Sequence, residues 1–79
     1  MAAKIKVIVT GALGKMGTET LKAVWADEGL ELVGAIDSRA RGEMLTDIIG
    51  IKDTDMKVEN DLDYIIVDRK PQVMIDFTK

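Results

Sequence analysis

The 79-residue chain contains no cysteine and no histidine. The first absence removes any disulfide framework and any thiol nucleophile. The two together remove the usual zinc ligands and the imidazole general base. What remains is binding chemistry, or catalysis by carboxylates and lysines. Proline occurs once, beside seven glycines, so there is no low-complexity linker. Long apolar runs are missing too: those around Val7–Val9 and Ile65–Val67 fall far short of the roughly 20 residues that span a bilayer. Residues 1–6 enter a strand-like run without the apolar core and cleavage site of a signal peptide, so the expected location is cytoplasmic. Positive charge is scarce. The net charge is −3, with six basic against five acidic groups in residues 1–42 and five against nine in residues 43–79. Nucleic-acid backbones need a clustered positive face and are not expected partners, whereas a smaller anion held by the first half is compatible with the count.

What is present describes a globular chain, 47% hydrophobic and 32% charged. Its length suits one small domain spanning residues 1–79 and excludes a two-domain enzyme within it. A domain of this size buries only about 60% of its unfolded surface, so ligand or partner contacts bear on its stability.

Residues 4–10 (KIKVIVT) read as a strand buried on both faces of a parallel sheet. Residues 11–17 are a glycine-rich turn. Residues 15–28 read as a helix with Leu13, Met16, Leu21, Val24 and Trp25 along one stripe, Gly17 and Thr20 on the same side, and Gly29 as a left-handed stop. Residues 32–36 form the second strand, interrupted by Gly34 and ending at Asp37, which completes a right-handed βαβ unit. After a polar loop over residues 38–43, residues 44–49 suit either one or two helical turns or an irregular segment. A short strand over residues 56–59 follows. Asn60 or Asp61 caps a helix carrying Leu62, Ile65, Ile66 and Arg69, Pro71 ends it, and residues 72–77 (QVMIDF) make the last strand. The alternation predicts an α/β, Rossmann-like open parallel sheet of about four strands.

The chemistry concentrates in the turn. Gly11, Gly14 and Gly17 stand in GxxGxxG spacing between a buried strand and an amphipathic helix. Gly11 suits the tight turn, Gly14 lets a diphosphate approach the main chain, and Gly17 lets the helix lie close. The helix start aims unpaired amide protons and roughly half a positive charge at the same spot, and Lys15 adds a cation at its edge. Asp37, 20 residues after Gly17, stands where a carboxylate takes the hydroxyls of an adenosine ribose. Arg39 and Arg41 offer guanidinium forks suited to a 2′-phosphate, so NADP is expected to be tolerated beside NAD. The bland alternatives are a turn whose glycines merely permit close packing, and a solvated basic loop. Met16 and Trp25 read as core or interface residues. The acidic run over residues 53–63 lacks the spacing of a calcium loop and reads as a solvated face. No metal site and no catalytic residue are expected.

IKVIVTGALGKMG, ELVGAID and VMIDFT together resemble the N-terminal part of the dihydrodipicolinate reductase (4-hydroxy-tetrahydrodipicolinate reductase) family of the bacterial and plant lysine pathway. The resemblance runs through nearly the whole chain. It implies that Gly11, Ala12, Leu13, Gly14, Lys15, Met16 and Gly17 meet the diphosphate and adenosine of NADPH or NADH, that Asp37 meets the ribose with Arg39 nearby, and that Phe77 and Thr78 lie beside the nicotinamide half. It further implies a separate substrate domain, absent from these 79 residues, which carries the catalytic histidine and lysine and most contacts of a homotetramer. Members that favour NADPH often place an arginine directly after the acidic residue; here Ser38 stands there and Arg39 follows. The expected function is the cofactor-gripping segment of an NAD(P)H-dependent oxidoreductase, inactive alone. Two other readings stand beside it: a non-catalytic nucleotide or coenzyme A module, and a structural piece that binds nothing. An unpaired edge at the last strand would invite self-association.

Overall fold

The computed structural model describes residues 4–78, so Lys79 and the residues 1–3 that entered the leader reading lie outside the described residues. A six-residue strand, β1 (Ile5–Thr10), forms the axis of the sheet. Val7, Ile8 and Val9 in its middle are all buried, as a β-branched run between two layers requires. The chain continues through α1 (Lys15–Ala26), β2 (Leu30–Ile36), α2 (Leu45–Ile49), β3 (Val58–Glu59), α3 (Leu62–Arg69) and β4 (Val73–Asp76). All strand pairs are parallel, in the order β3-β2-β1-β4. Val7 and Val9 point into one core with Leu21 and Val24 of α1 and Leu45 and Ile49 of α2. Ile8 points to the other face and meets Ile36 and Ile65. Two helices thus cover one face and α3 the other. The connection order reverses between β1 and β4, which opens a crevice at the carboxyl ends of those strands.

Several boundaries differ from the sequence reading. Helix α1 stops at Ala26, because Asp27 is extended (φ −86°, ψ 120°), donates its N–H to Val24 O, and turns its carboxylate to accept the Gly29 N–H at 2.8 Å. Gly29 is not left-handed, and β2 begins directly after it at Leu30. The buried stripe of α1 is Gly17, Leu21 and Val24, at positions i, i+4 and i+7. Met16 and Trp25 each stand one residue, about 100°, off that stripe, and both are exposed rather than core.

Of residues 44–49, Leu45–Ile49 form helix α2, with the extended Met44 as its N-cap and Gly50 as its left-handed C-cap. Strand β3 is only two residues long because the chain before it pairs elsewhere. Leu45 donates to Met56 O, Val58 donates to Glu43 O, and Lys57 bridges Met44 in antiparallel fashion. Asp61, not Asn60, caps α3 by accepting the Tyr64 N–H at 3.0 Å. Gly34 owes its place to α3: a Cβ there would stand 2.8 Å from Ile65 Cγ2. No helix among the described residues is long and apolar enough to cross a membrane.

Candidate dinucleotide site

The β1–α1 turn is built from internal hydrogen bonds. Ala12 donates its N–H to Ile36 O at 3.0 Å, Leu13 to Asp37 Oδ2 at 2.9 Å, and Gly14 to Gly11 O at 3.1 Å. Thr18 ties the turn from the helix side, its hydroxyl donating to Ala12 O at 3.1 Å. Gly11 takes φ +70°, in the left-handed region that disfavours side chains, and its face lies against Phe77. Gly17 permits closer contact still: a Cβ on it would stand 2.1 Å from the Gly11 carbonyl oxygen. The helix therefore lies against the turn itself, which sets its N-terminus.

Gly14 behaves differently. A Cβ there would meet only Gly11 O at 3.4 Å and Arg39 Nη2 at 3.9 Å, both ordinary contact distances, so its bare face is turned toward the guanidinium. Gly14 is the N-cap of α1 and no side chain caps the helix. Among the described residues the N–H groups of Lys15, Met16 and Gly17 have no acceptor. They are the first-turn donors that an anion can satisfy.

This turn forms one wall of a groove of about 460 Å³. The groove is lined by Gly11, Gly14, Lys15, Met16 and Gly17 on that side, Asp37, Ser38 and Arg39 at the end of β2, and Phe77 and Thr78 after β4. Nine of the sequence-selected site residues meet there. Two do not: Ala12 is fully buried in the core and Leu13 packs against it, because their amides are consumed in holding the turn. The helix start thus supplies free donors where Ala12 and Leu13 do not. Arg41 is exposed and does not line the groove; its backbone N–H donates to Glu43 instead.

Asp37 is the electrostatic centre of this wall. It is buried, yet its carboxylate accepts four hydrogen bonds: Oδ1 from Arg39 N at 2.9 Å and Nε at 3.1 Å, Oδ2 from Leu13 N at 2.9 Å and Arg39 Nη2 at 3.0 Å. The guanidinium bonds outweigh the opposing effect of burial, and with the two backbone N–H groups they hold the carboxyl at about 2. Arg39 is in turn held firmly protonated, with two thirds of its side chain still exposed.

A smaller cavity of about 200 Å³ adjoins the groove on the α3 side, sharing Asp37, Ser38 and Thr78 and adding Ile36, Leu62 and Met74. Beside it Asp76 Oδ1 accepts the hydroxyls of Thr10 at 2.7 Å and Thr78 at 2.5 Å, together with the Thr78 N–H. These bonds hold the Asp76 carboxyl below its usual value, Thr10 contributing most. Sequence reasoning passed over Asp76, Leu62 and Met74. Asp76 ends β4 and Leu62 opens α3 shortly after β3, so for these two position near the carboxyl ends of strands was the signal; Met74, inside β4, carried none. A larger groove of about 570 Å³ lies beside the opening residues of β1 and β2, with Lys6, Glu31, Lys57 and Arg69 among its lining. It exists because β3 pairs only with Ala35 and Ile36, leaving the earlier part of β2, which pairs with β1, open on its other side; its side chains carry both signs and no helix N-terminus opens into it.

Residues 5–79 match the family model for the N-terminus of dihydrodipicolinate reductase. The chain is 54% identical over 78 residues to 4-hydroxy-tetrahydrodipicolinate reductase of Syntrophomonas wolfei, covering 99% of this chain and 29% of that enzyme. It is 37% identical to the enzyme of Moorella thermoacetica, with the same coverage. Among solved structures, dipicolinate-bound dihydrodipicolinate reductase from Paenisporosarcina sp. TG-14 superposes with a TM-score of 0.72 at 32% identity, over 98% of this chain and 29% of that one. The chain thus spans under a third of the length of these relatives. A glycine turn feeding a bare helix start, a carboxylate at the end of β2, and a match across nearly every residue lead to one assignment: the chain belongs to the dihydrodipicolinate reductase family, as its N-terminal, dinucleotide-binding part.

Proposed function

We propose that this chain grips NADPH or NADH for a reductase of lysine and diaminopimelate biosynthesis, in which hydride passes to a cyclic dipicolinate precursor. The observation that carries the reading is the coincidence, in one groove, of three acceptor-free amides at the start of α1, the bare face of Gly14, and the cations Lys15 and Arg39. That donor set matches a diphosphate: the amides supply fixed partial charge and the side chains supply mobile charge. Arg39 stands ready for a 2′-phosphate, and the cavity under Ile36, Leu62 and Met74 has the apolar lining and position suited to an adenine ring. Thr78, held by Asp76, and Phe77, whose N–H donates to Thr10 O, close the end of the groove nearest β1 and β4, where the nicotinamide half would lie.

The bound cofactor would supply the hydride chemistry. The residues of this chain bind and orient it: the helix start and Lys15 fix the diphosphate, the end of β2 fixes the adenosine, and the Thr10–Asp76–Thr78 cluster stiffens the floor. Proton donation to the substrate is assigned to a separate substrate domain, since the charged donors lining the groove, Lys15 and Arg39, both serve the cofactor, and the Ser38 and Thr78 hydroxyls beside them are weak acids. Titration calorimetry of the folded chain is expected to give weak but measurable heats with NADPH and NADH; no heat at millimolar cofactor would overturn the proposal. The coenzyme A alternative leaves Asp37 no free adenosine 2′,3′-diol to bind; it predicts heat with coenzyme A, hardly changed in Asp37→Ala, and none with either dinucleotide.

A further inference from the structure

The smaller cavity on the α3 side has apolar walls in Ile36, Leu62 and Met74, and a rim whose polar groups are unequal. The hydroxyls of Thr10 and Thr78 both donate to Asp76 Oδ1, so neither proton is left to meet a ligand's oxygen. Asn60, just beyond β3, completes the lining. Its Nδ2 donates to Ala40 O at 3.4 Å. A backbone carbonyl only accepts, so this bond fixes which way the amide faces. Among the described residues no donor reaches Asn60 Oδ1, which stands as an unfilled acceptor. Two residues on, Leu62 opens α3 with an N–H that has no acceptor among the described residues. One apolar cavity is thus offered an acceptor and a donor from neighbouring positions of the chain.

We propose that Asn60 is a specificity-determining residue that reads the base of the cofactor, accepting the exocyclic amino group of adenine and rejecting a 6-oxopurine. The inference rests on the dinucleotide reading above. Adenine presents an amino group beside a bare ring nitrogen, the complement of Asn60 Oδ1 and the Leu62 N–H. Hypoxanthine presents the reverse, a carbonyl oxygen beside a ring N–H, so acceptor would meet acceptor and donor would meet donor. The amide cannot adapt by turning over, because its oxygen would then face Ala40 O. The Asp76 carboxylate, also on the lining, adds negative charge that further disfavours a carbonyl oxygen. A site built to take an N–H rejects the analogue that lacks it, since its own polar group is left unpaired.

The test titrates the wild-type chain, Asn60→Ala and Asn60→Asp with NADPH and with its 6-oxo counterpart, reduced nicotinamide hypoxanthine dinucleotide phosphate, followed by nicotinamide fluorescence. The readout is the ratio of the two affinities within each protein, which a partly unfolded sample leaves unchanged. Wild type should bind the adenine form about tenfold or more tighter, as one lost hydrogen bond and an unpaired acceptor would give. Alanine should bring the two forms within about threefold, by weakening the adenine form. Aspartate keeps an acceptor and offers no N–H, so the preference should stay at about tenfold or above. A packing role alone would not separate alanine from aspartate in this way. Equal binding of the two bases by wild type, a preference that survives in Asn60→Ala, or one lost equally in Asn60→Asp would overturn the base reading and leave the dinucleotide reading standing. Failure of all three proteins to bind either form would overturn both.

Discussion

At the scale of single residues, the three glycines of the turn serve three different purposes and make separable predictions. Gly17→Ala drives a Cβ into the Gly11 carbonyl oxygen, and backbone on both sides leaves nothing flexible to yield. It should cost about 1–3 kcal/mol in urea unfolding, the usual range for a forced fit, and abolish cofactor binding with it. Gly14→Ala places its methyl at ordinary contact distance from Gly11 O and the Arg39 guanidinium; stability should stay within about 0.5 kcal/mol of wild type while NADPH binding falls about tenfold. Asp37 links this region to pH. Its carboxyl is lowered from 3.8 to about 2, chiefly by the Arg39 side chain, so it contributes stability that is fully present above about pH 4 and lost as pH falls toward 2. The destabilisation caused by Arg39→Ala should accordingly be visible in urea melts at neutral pH and shrink toward zero near pH 2.

At the scale of elements, α3 is the piece whose ends can be tuned. Its start depends on the Asp61 carboxylate accepting the Tyr64 N–H, and Asp61→Ala should cost about 0.5–2 kcal/mol in thermal or urea unfolding, as cap deletions do. Its end depends on Lys70, a non-glycine residue held at φ 48°; Lys70→Gly relieves that conformation and should raise the melting temperature. The element also explains an irregularity in its neighbour. The β1–β2 register shifts between Val7 and Ile8, so Val33 has no partner on β1, and its carbonyl accepts Arg69 Nη1 at 2.7 Å instead. A side chain at the C-terminal end of α3 thus satisfies a bulge in a central strand, and Gly34 next to it admits Ile65.

At the scale of the whole molecule, the sheet ends at β4, and its outer side carries an apolar surface. Val73 and Met74 are nearly half exposed, Ile66 beside them likewise, and a shallow cavity of about 200 Å³ runs between them and Pro71. An edge strand with such a surface is a template for further pairing. The isolated chain should therefore show concentration-dependent association in size-exclusion chromatography, and Met74→Lys should suppress it, because a charge on the edge strand penalises a second strand laid against it. A monomer that persists at the highest attainable concentration would refute this. The same edge lies beside the candidate groove, since Phe77 and Thr78 continue from β4, so what covers the strand also bears on how firmly that end of the groove is held.

Much of the architecture was legible in the residues because it follows from local patterning. A β-branched run buried on both faces announced β1, the glycine spacing announced the turn, and the positions of Asp37, Arg39, Phe77 and Thr78 at strand ends followed from alternation of strand and helix. Tertiary structure decided what periodicity cannot carry. Met16 and Trp25 fell outside the core because one helical step separates a buried stripe from a solvent face. Strand β3 shrank to two residues because Met56 and Lys57 found partners in the chain leading into α2. Ala12 and Leu13 were drawn inward because Ile36 O and Asp37 claimed their amides. The occupation of Asp37 by Arg39 was the least legible feature of all: composition and spacing identify a carboxylate and a guanidinium, but only three-dimensional distance determines whether they face a ligand or each other.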